Sequence, residues 1–238
     1  MKDRMDARQL GLESLCLLTD PKKTGYMTAV LASHVVLLGS TTGVEIAGVT
    51  DGENQETILT DEAPFQEIRE TVLSLVQFSR IGEDEEDEVT SPESEQMVLL
   101  HNLALAVLAN ALEVVEHPEL YLSPPEDSKP GARPTLKTQE SANITKAFLD
   151  ETQELSKKEL LSTLIGELGK ASTKPHNATL SAKCLGSLCR SAEEAKRRAK
   201  ELGAKTVVAT ALDVGVKTHL KLETECQKVL RTMETQTE

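Results

Sequence analysis

The sequence predicts an all-α fold in which helices stack on one another. Leu, Ala and Val supply most of the apolar residues, and aromatic residues make up only 2% of the 238-residue chain. This composition suits helix packing better than a β-sandwich. Apolar residues recur at helical spacing along most of the sequence, and short breaks rich in Gly, Pro and Asp separate these segments. An apolar content of 39% is enough for an extended core.

The first half of the chain contains four predicted helices. Pro21 and Gly25 separate the first from the second, and Pro64 stands at the first position of the third. The fourth is apolar nearly all round, which is typical of a buried central helix, and its polar residues His101 and Asn110 argue against a membrane span. These helices are predicted over residues 6–19, 26–38, 64–79 and 96–117.

Three segments are predicted to be irregular. Residues 40–62 are rich in Gly, Thr and Asp and predict a loop, with a short β-hairpin or a helical turn as alternatives. Residues 82–96 predict a solvated acidic loop, since eight of the fourteen residues 82–95 are Asp or Glu. Residues 118–137 are rich in proline and predict an extended linker or loop.

The second half is predicted to be helical nearly throughout. The stretch 201–215 could alternatively be a buried strand that leads into a phosphate loop, and a strand over residues 205–212 would overturn the helical interpretation. A phosphate loop requires the pattern GxxxxGK[ST]. Gly203 lacks the upstream glycine, and Lys170 is followed by Ala rather than by Ser or Thr. The predicted helices cover residues 141–155, 156–169, 178–191, 192–202 and the stretch between Gly203 and Gly215, and finally 219–233.

Self-similarity at an offset of about 44 residues indicates a helical repeat. The offset pairs Leu164 with Val208 and Leu168 with Leu212. Each unit then consists of a middle helix, a break and a long final helix. One such unit cannot bury its own apolar face, so neighbouring units must stack and form a continuous core.

Residues 192–212, "AEEAKRRAKELGAKTVVATAL", resemble the armadillo-repeat signature of a short first helix, a glycine corner and an aliphatic second helix. "VLANA" at 107–111 and "CLGSL" at 184–188 are similar to the alanine-rich run of its third helix. The resemblance is good over residues 157–233 and fair over 6–38 and 64–116. It implies a right-handed α-solenoid of armadillo or HEAT-like repeats. The domains would be a partial N-terminal repeat at 1–39, a repeat with the acidic loop at 40–117, the linker at 118–137 and C-terminal repeats at 138–238.

The resemblance also implies a protein-binding face. In armadillo proteins the third helices line a concave groove, and an asparagine near the end of the alanine-rich run binds the backbone of an extended peptide. Only Asn110 matches that asparagine, and Ser14, Ser187 and Thr232 stand at the equivalent positions. Asn110 could instead be satisfied by a neighbouring carbonyl. The candidate protein-binding residues are Asn110, Ser187, Leu103 and Val107.

The chain opens with what resembles a third helix. We therefore expect either that a preceding portion is missing or that Leu10, Leu15 and Val30 form an exposed end that binds a partner. No apolar segment of signal-peptide type occurs near the N-terminus, so we expect a cytoplasmic protein, with the nucleus as an alternative.

Charge and side-chain chemistry favour a binding protein over an enzyme. A net charge of −13 argues against nucleic acid and favours a protein partner with a basic segment. The histidines form no triad pattern, and the four cysteines lack metal-ligand spacing, so they are predicted to be buried thiols. We predict no catalytic residue, cofactor, metal or membrane contact. The predicted function is a non-catalytic scaffold; the alternatives are a regulatory or chaperone-like subunit, or an enzyme with a small-molecule pocket near residues 40–62.

Overall fold

The computed structural model describes residues 2–40, 63–78, 92–116, 148 and 160–235. Within these ranges the chain forms ten helices and no strand, which confirms the all-α class. The helices are α1 (Lys2–Leu18), α2 (Pro21–Thr24), α3 (Tyr26–Leu38), α4 (Ala63–Val76), α5 (Pro92–Glu116), α6 (Leu160–Gly169), α7 (Pro175–Ser191), α8 (Glu193–Glu201), α9 (Ala204–Thr218) and α10 (Leu220–Glu234). Residues 205–212 are thus helical, as the repeat interpretation requires.

Glycine and proline set several of the helix boundaries. α3 ends at Gly39, and α9 follows Gly203; both glycines have left-handed backbones, with φ of 63° and 76°. Residues with a side chain rarely adopt this conformation. Pro175 begins α7, where its missing N–H costs no helical hydrogen bond.

Several predicted helix limits are wrong; α1, for example, begins at Lys2 rather than at residue 6. α5 begins at Pro92 rather than at residue 96, because proline suits the first helical position and Glu93 and Glu95 interact favourably with the helix dipole. The break after α1 also contains a short helix, α2. Asp20 caps its N-terminus, because the Asp20 side chain accepts a hydrogen bond from the Lys22 N–H at 3.0 Å.

Four long helices pack against one another in a row. α1 packs on α5, α5 on α7, and α7 on α10. A second set of helices covers this row: α3 and α4 pack on α5, α6 packs on α7, and α9 packs on both α6 and α10. One continuous cluster of buried apolar side chains extends from Leu12 in α1 to Met233 in α10.

α5 is the central helix of this core. Leu100, Leu105 and Leu108 are fully buried on it. Among the described residues, α5 is also the one helix long and apolar enough to cross a bilayer, and 61% of its most apolar window is buried against other helices. Packing on α1, α3, α4 and α7 accounts for its apolar character.

The N-terminal end matches its expectation only in part. Leu10 is 64% exposed and Leu15 is half-buried. Val30 is 2% exposed and belongs to a small buried cluster with Ala29 and Val114, so the expectation that Val30 lies at an exposed end is wrong.

All four cysteines carry free thiols, and the prediction that they are buried is confirmed for Cys184, Cys189 and Cys226. Burial raises the pKa of Cys184, Cys189 and Cys226 to about 12. Cys16 is half-buried, and burial raises its pKa to about 11. These thiols are therefore protonated at neutral pH and act as packing residues.

Several predicted segments lie outside the described residues. They are residues 41–62, the part 82–91 of the predicted acidic loop, the linker 118–137 and the predicted helix 141–155 apart from the buried Phe148.

The close approach of α9 and α10 at Gly215 generates a prediction. A Cβ at position 215 would lie 2.6 Å from the Glu223 backbone nitrogen, whereas a Cβ at Gly166 in α6 would meet nothing within 4 Å. We expect Gly215→Ala to lower the free energy of unfolding by about 1–3 kcal/mol. Gly166→Ala should raise it by up to about 1 kcal/mol, because alanine favours the helix. Urea unfolding of both variants checks this, and equal effects at the two positions would contradict the close approach.

Candidate functional site

A groove of about 350 Å³ lies along the row of long helices, between α5, α7 and α10. Most of its lining side chains are charged, and two carry hydroxyl groups. The groove is lined by Glu113, Glu116, Lys183, Ser187, Arg190, Glu225, Lys228, Arg231 and Thr232. We call this set the charged groove.

Glu116 joins α5 to α7 at the floor of the charged groove. Its side chain is 9% exposed. Its Oε2 accepts a hydrogen bond from the Ser187 hydroxyl at 2.5 Å, and both carboxylate oxygens accept from the Arg190 guanidinium. A carboxylate held by a guanidinium in this two-point manner fixes both the distance and the register of the helices.

Neighbouring carboxylates keep the Arg190 guanidinium ionised. Burial by itself lowers the pKa of the Arg190 guanidinium, but the hydrogen bonds and charge of Glu116, together with the charge of Glu225, raise it overall. Arg190 therefore remains a cation at the meeting point of the three helices.

A second, more exposed ion pair joins the same two helices. Lys183 donates to Glu113 Oε2 at 2.5 Å, and their side chains are 24% and 32% exposed. Glu113 and Glu116 are one turn apart on α5, and Lys183 and Arg190 are two turns apart on α7, so each pair of like charges shares one helix face.

The α10 wall is more open. Lys228 donates to Glu225 Oε1 at 2.7 Å, and the Thr232 hydroxyl donates to its own helix at the Lys228 carbonyl. Arg231 is exposed, and among the described residues its guanidinium makes no ion pair or hydrogen bond.

Of the four candidate protein-binding residues predicted from the resemblance, only one lines the charged groove. Ser187 lines the charged groove and is 2% exposed. Asn110 lies one turn before Glu113, and its side-chain amide donates to the Cys16 carbonyl of α1 at 3.4 Å. The alternative interpretation of Asn110, a polar side chain bound to a neighbouring carbonyl, therefore matches its contact.

Leu103 and Val107 belong to the packing of α5 and not to the charged groove. Val107 is fully buried. Leu103 is half-buried against the core, and its backbone carbonyl accepts a hydrogen bond from the Cys16 thiol at 3.5 Å. The sequence analysis did not predict that charged side chains line a groove. The helical spacing of Glu113 and Glu116 could have indicated it, because residues three apart share one face of a helix.

A second polar cluster is buried where α4, α5, α6 and α7 meet. His101 Nδ1 donates to the Leu75 carbonyl at 2.9 Å, and His101 Nε2 faces Glu167 Oε2 at 3.6 Å. Glu167 Oε1 accepts from Lys170 at 3.0 Å. Beside them, Asn177 donates to the Asn102 side chain at 2.7 Å and links α7 to α5.

Glu167 is ionised despite its burial. Burial raises the pKa of its carboxyl group, but hydrogen bonding and charge from His101 and Lys170 overcome this and lower the pKa to about 2. Lys170, which was considered for a phosphate loop, thus contacts a carboxylate at the end of a helix and does not follow a strand.

The described residues contain no group of three or more side chains that could hold a metal ion. Residues 41–62, where a small-molecule pocket was considered, lie outside the part of the chain that the structure describes.

The different burial of the two α5–α7 ion pairs generates a prediction. Glu116→Gln should lower the free energy of unfolding by about 2 kcal/mol, because it leaves Arg190 and Ser187 without their carboxylate. The same substitution at Glu113 should cost less than about 1 kcal/mol, since that pair is more exposed to solvent. Chemical denaturation of the two variants measures the difference. A larger loss from Glu113→Gln would show that Glu116 does not hold α5 on α7.

The lowered pKa of Glu167 generates a second prediction. The ionised carboxylate contributes stability that is fully present above the unfolded pKa of 4.5 and is lost as the pH falls toward about 2. The difference in unfolding free energy between the native chain and Glu167→Gln should therefore shrink as the pH falls below 4.5. Denaturation at a series of pH values checks this, and a difference that grows with acid would contradict the sign.

Comparison with known proteins does not indicate a family for this chain. No family model, no curated protein and no solved structure matches the chain.

Proposed function

We propose that this chain is a non-catalytic protein-binding scaffold, built as a right-handed α-solenoid of armadillo or HEAT-like repeats. The observation that carries the proposal is the charged groove, which crosses three successive long helices, α5, α7 and α10. A surface that runs across several helices suits an extended polypeptide better than a small molecule.

The contacts between helices support the solenoid. Each long helix packs on the next, from α1 through α5 and α7 to α10, and α6 and α9 pack side by side behind them. Leu164 of α6 and Val208 of α9, which the repeat offset of about 44 residues pairs, are both fully buried. Gly203 stands at the corner between α8 and α9, where the armadillo resemblance requires a glycine.

The state of the polar side chains supports binding rather than catalysis. Ser187, whose hydroxyl lies beside a carboxylate in the groove, is 2% exposed and donates a hydrogen bond to Glu116. Glu113 and Glu116 are both engaged in ion pairs that hold α5 to α7. These side chains therefore build the floor on which a segment lies.

The dimensions of the row suggest the length of that segment. Packed helices lie about 8–10 Å apart, so three helices span roughly 16–20 Å. An extended chain covers this distance with about five or six residues. We propose a protein partner for this face, in the cytoplasm or the nucleus, where free thiols such as the four of this chain persist.

A pair of matched threonine variants tests this function. Thr232 lines the groove and Thr210 is exposed on α9, and each hydroxyl donates to a carbonyl of its own helix four residues earlier. We expect Thr232→Trp to fill the groove and abolish partner binding, whereas Thr210→Trp should leave it unchanged. Affinity purification of both variants and the native chain, followed by mass spectrometry, gives the readout.

Circular dichroism spectra of the three proteins provide the control, because all should show the same helix content. The same set of bound proteins on the native chain and both variants would contradict a role for the groove.

A further inference from the structure

The charged groove carries a surplus of positive charge although the whole chain is acidic. Three glutamates and four basic residues line the groove, whereas the chain contains 39 acidic and 26 basic residues. Charges separated by more than about 8 Å are largely screened at physiological ionic strength. The groove's own charges, rather than the net charge of the chain, therefore determine what binds there.

The carboxylates of the groove are already engaged. Glu116 accepts hydrogen bonds from Arg190 and Ser187. Glu113 and Glu225 each accept one from a lysine, Lys183 and Lys228 respectively. A basic side chain of a partner would have to displace one of these existing cations.

The hydrogen-bond donors of the groove are in surplus. An ammonium group has three N–H donors and a guanidinium has five. Lys183 and Lys228 each donate one of their three to a glutamate. Within the described ranges Arg231 has no acceptor at all, and it lies one turn beyond Lys228 on the same face of α10.

We propose that the charged groove binds an extended protein segment that carries an acidic side chain. The carboxylate of that side chain lies on Arg231 and Lys228 of α10, and the backbone carbonyls of the segment turn toward Lys183 of α7. An occupant rich in acceptors satisfies the free donors without disturbing the ion pairs that hold the helices together. This inference rests on the proposed function and replaces the basic segment that the net charge alone suggests.

A library of random twelve-residue peptides displayed on phage tests the inference on the full chain. The selection uses the native chain, Thr232→Trp, Arg231→Glu and Lys217→Glu. Lys217 is exposed on α9 and lies outside the groove. Lys217→Glu changes the net charge of the chain by the same amount as Arg231→Glu and is therefore the matched control. We expect the native chain and Lys217→Glu to enrich peptides that contain Asp or Glu, and Arg231→Glu to lose them.

Fluorescence anisotropy of one selected peptide measures the effect. Its affinity for Arg231→Glu should be at least about tenfold weaker than for Lys217→Glu, and Arg231→Lys should restore most of it. A twin peptide with Asn and Gln in place of Asp and Glu should also bind at least about tenfold more weakly.

Each contrary outcome has a distinct meaning. Enrichment of basic peptides that Thr232→Trp abolishes would overturn the acidic segment and leave the proposed function standing. Enrichment that neither Thr232→Trp nor Arg231→Glu affects would contradict the groove as the binding site. Failure of the native chain to enrich any peptide would contradict both proposals.

Discussion

The burial of α5 among four other helices is the constraint on which the rest of the structure depends. α1, α3, α4 and α7 all pack on α5. Leu100, Leu105 and Leu108 are consequently removed from water, and one continuous core joins α1 to α10. Such burial is worth about 1.5–3 kcal/mol for each large apolar side chain. Among the polar side chains buried in this arrangement, His101 donates to the Leu75 carbonyl of α4 and faces Glu167 of α6.

The charged groove is a consequence of the same packing. Once apolar faces bring α5 and α7 together, the charged residues at their margins must meet, and Glu116 then contacts Ser187 and Arg190. The ion pairs at this margin fix the register of the row, and α10 closes the groove with residues that hold fewer internal partners. One set of contacts therefore both stabilises the helices and shapes the surface on which a segment could bind.

Local signals predicted most helices, whereas the groove depends on relations between helices. Residues 26–38 are bounded by glycines and were predicted with the observed limits. The start of α5 was predicted wrongly. Clustered acidic residues repel one another and favour a loop, but acidic residues in the first turn of a helix stabilise its N-terminus. Glu116 and Arg190 are 74 residues apart, so only the three-dimensional register brings them together. In the same way, the carbonyl bound by Asn110 belongs to Cys16, 94 residues away.

The central claim is that α5, α7 and α10 present one continuous surface to a single protein segment. A crystal structure of the chain with a selected peptide is the most direct measurement of it. The account predicts an extended backbone that crosses all three helices, with the floor pair of Glu116 and Arg190 unchanged beneath it. A peptide bound elsewhere, or three helices that do not lie side by side, would contradict the account.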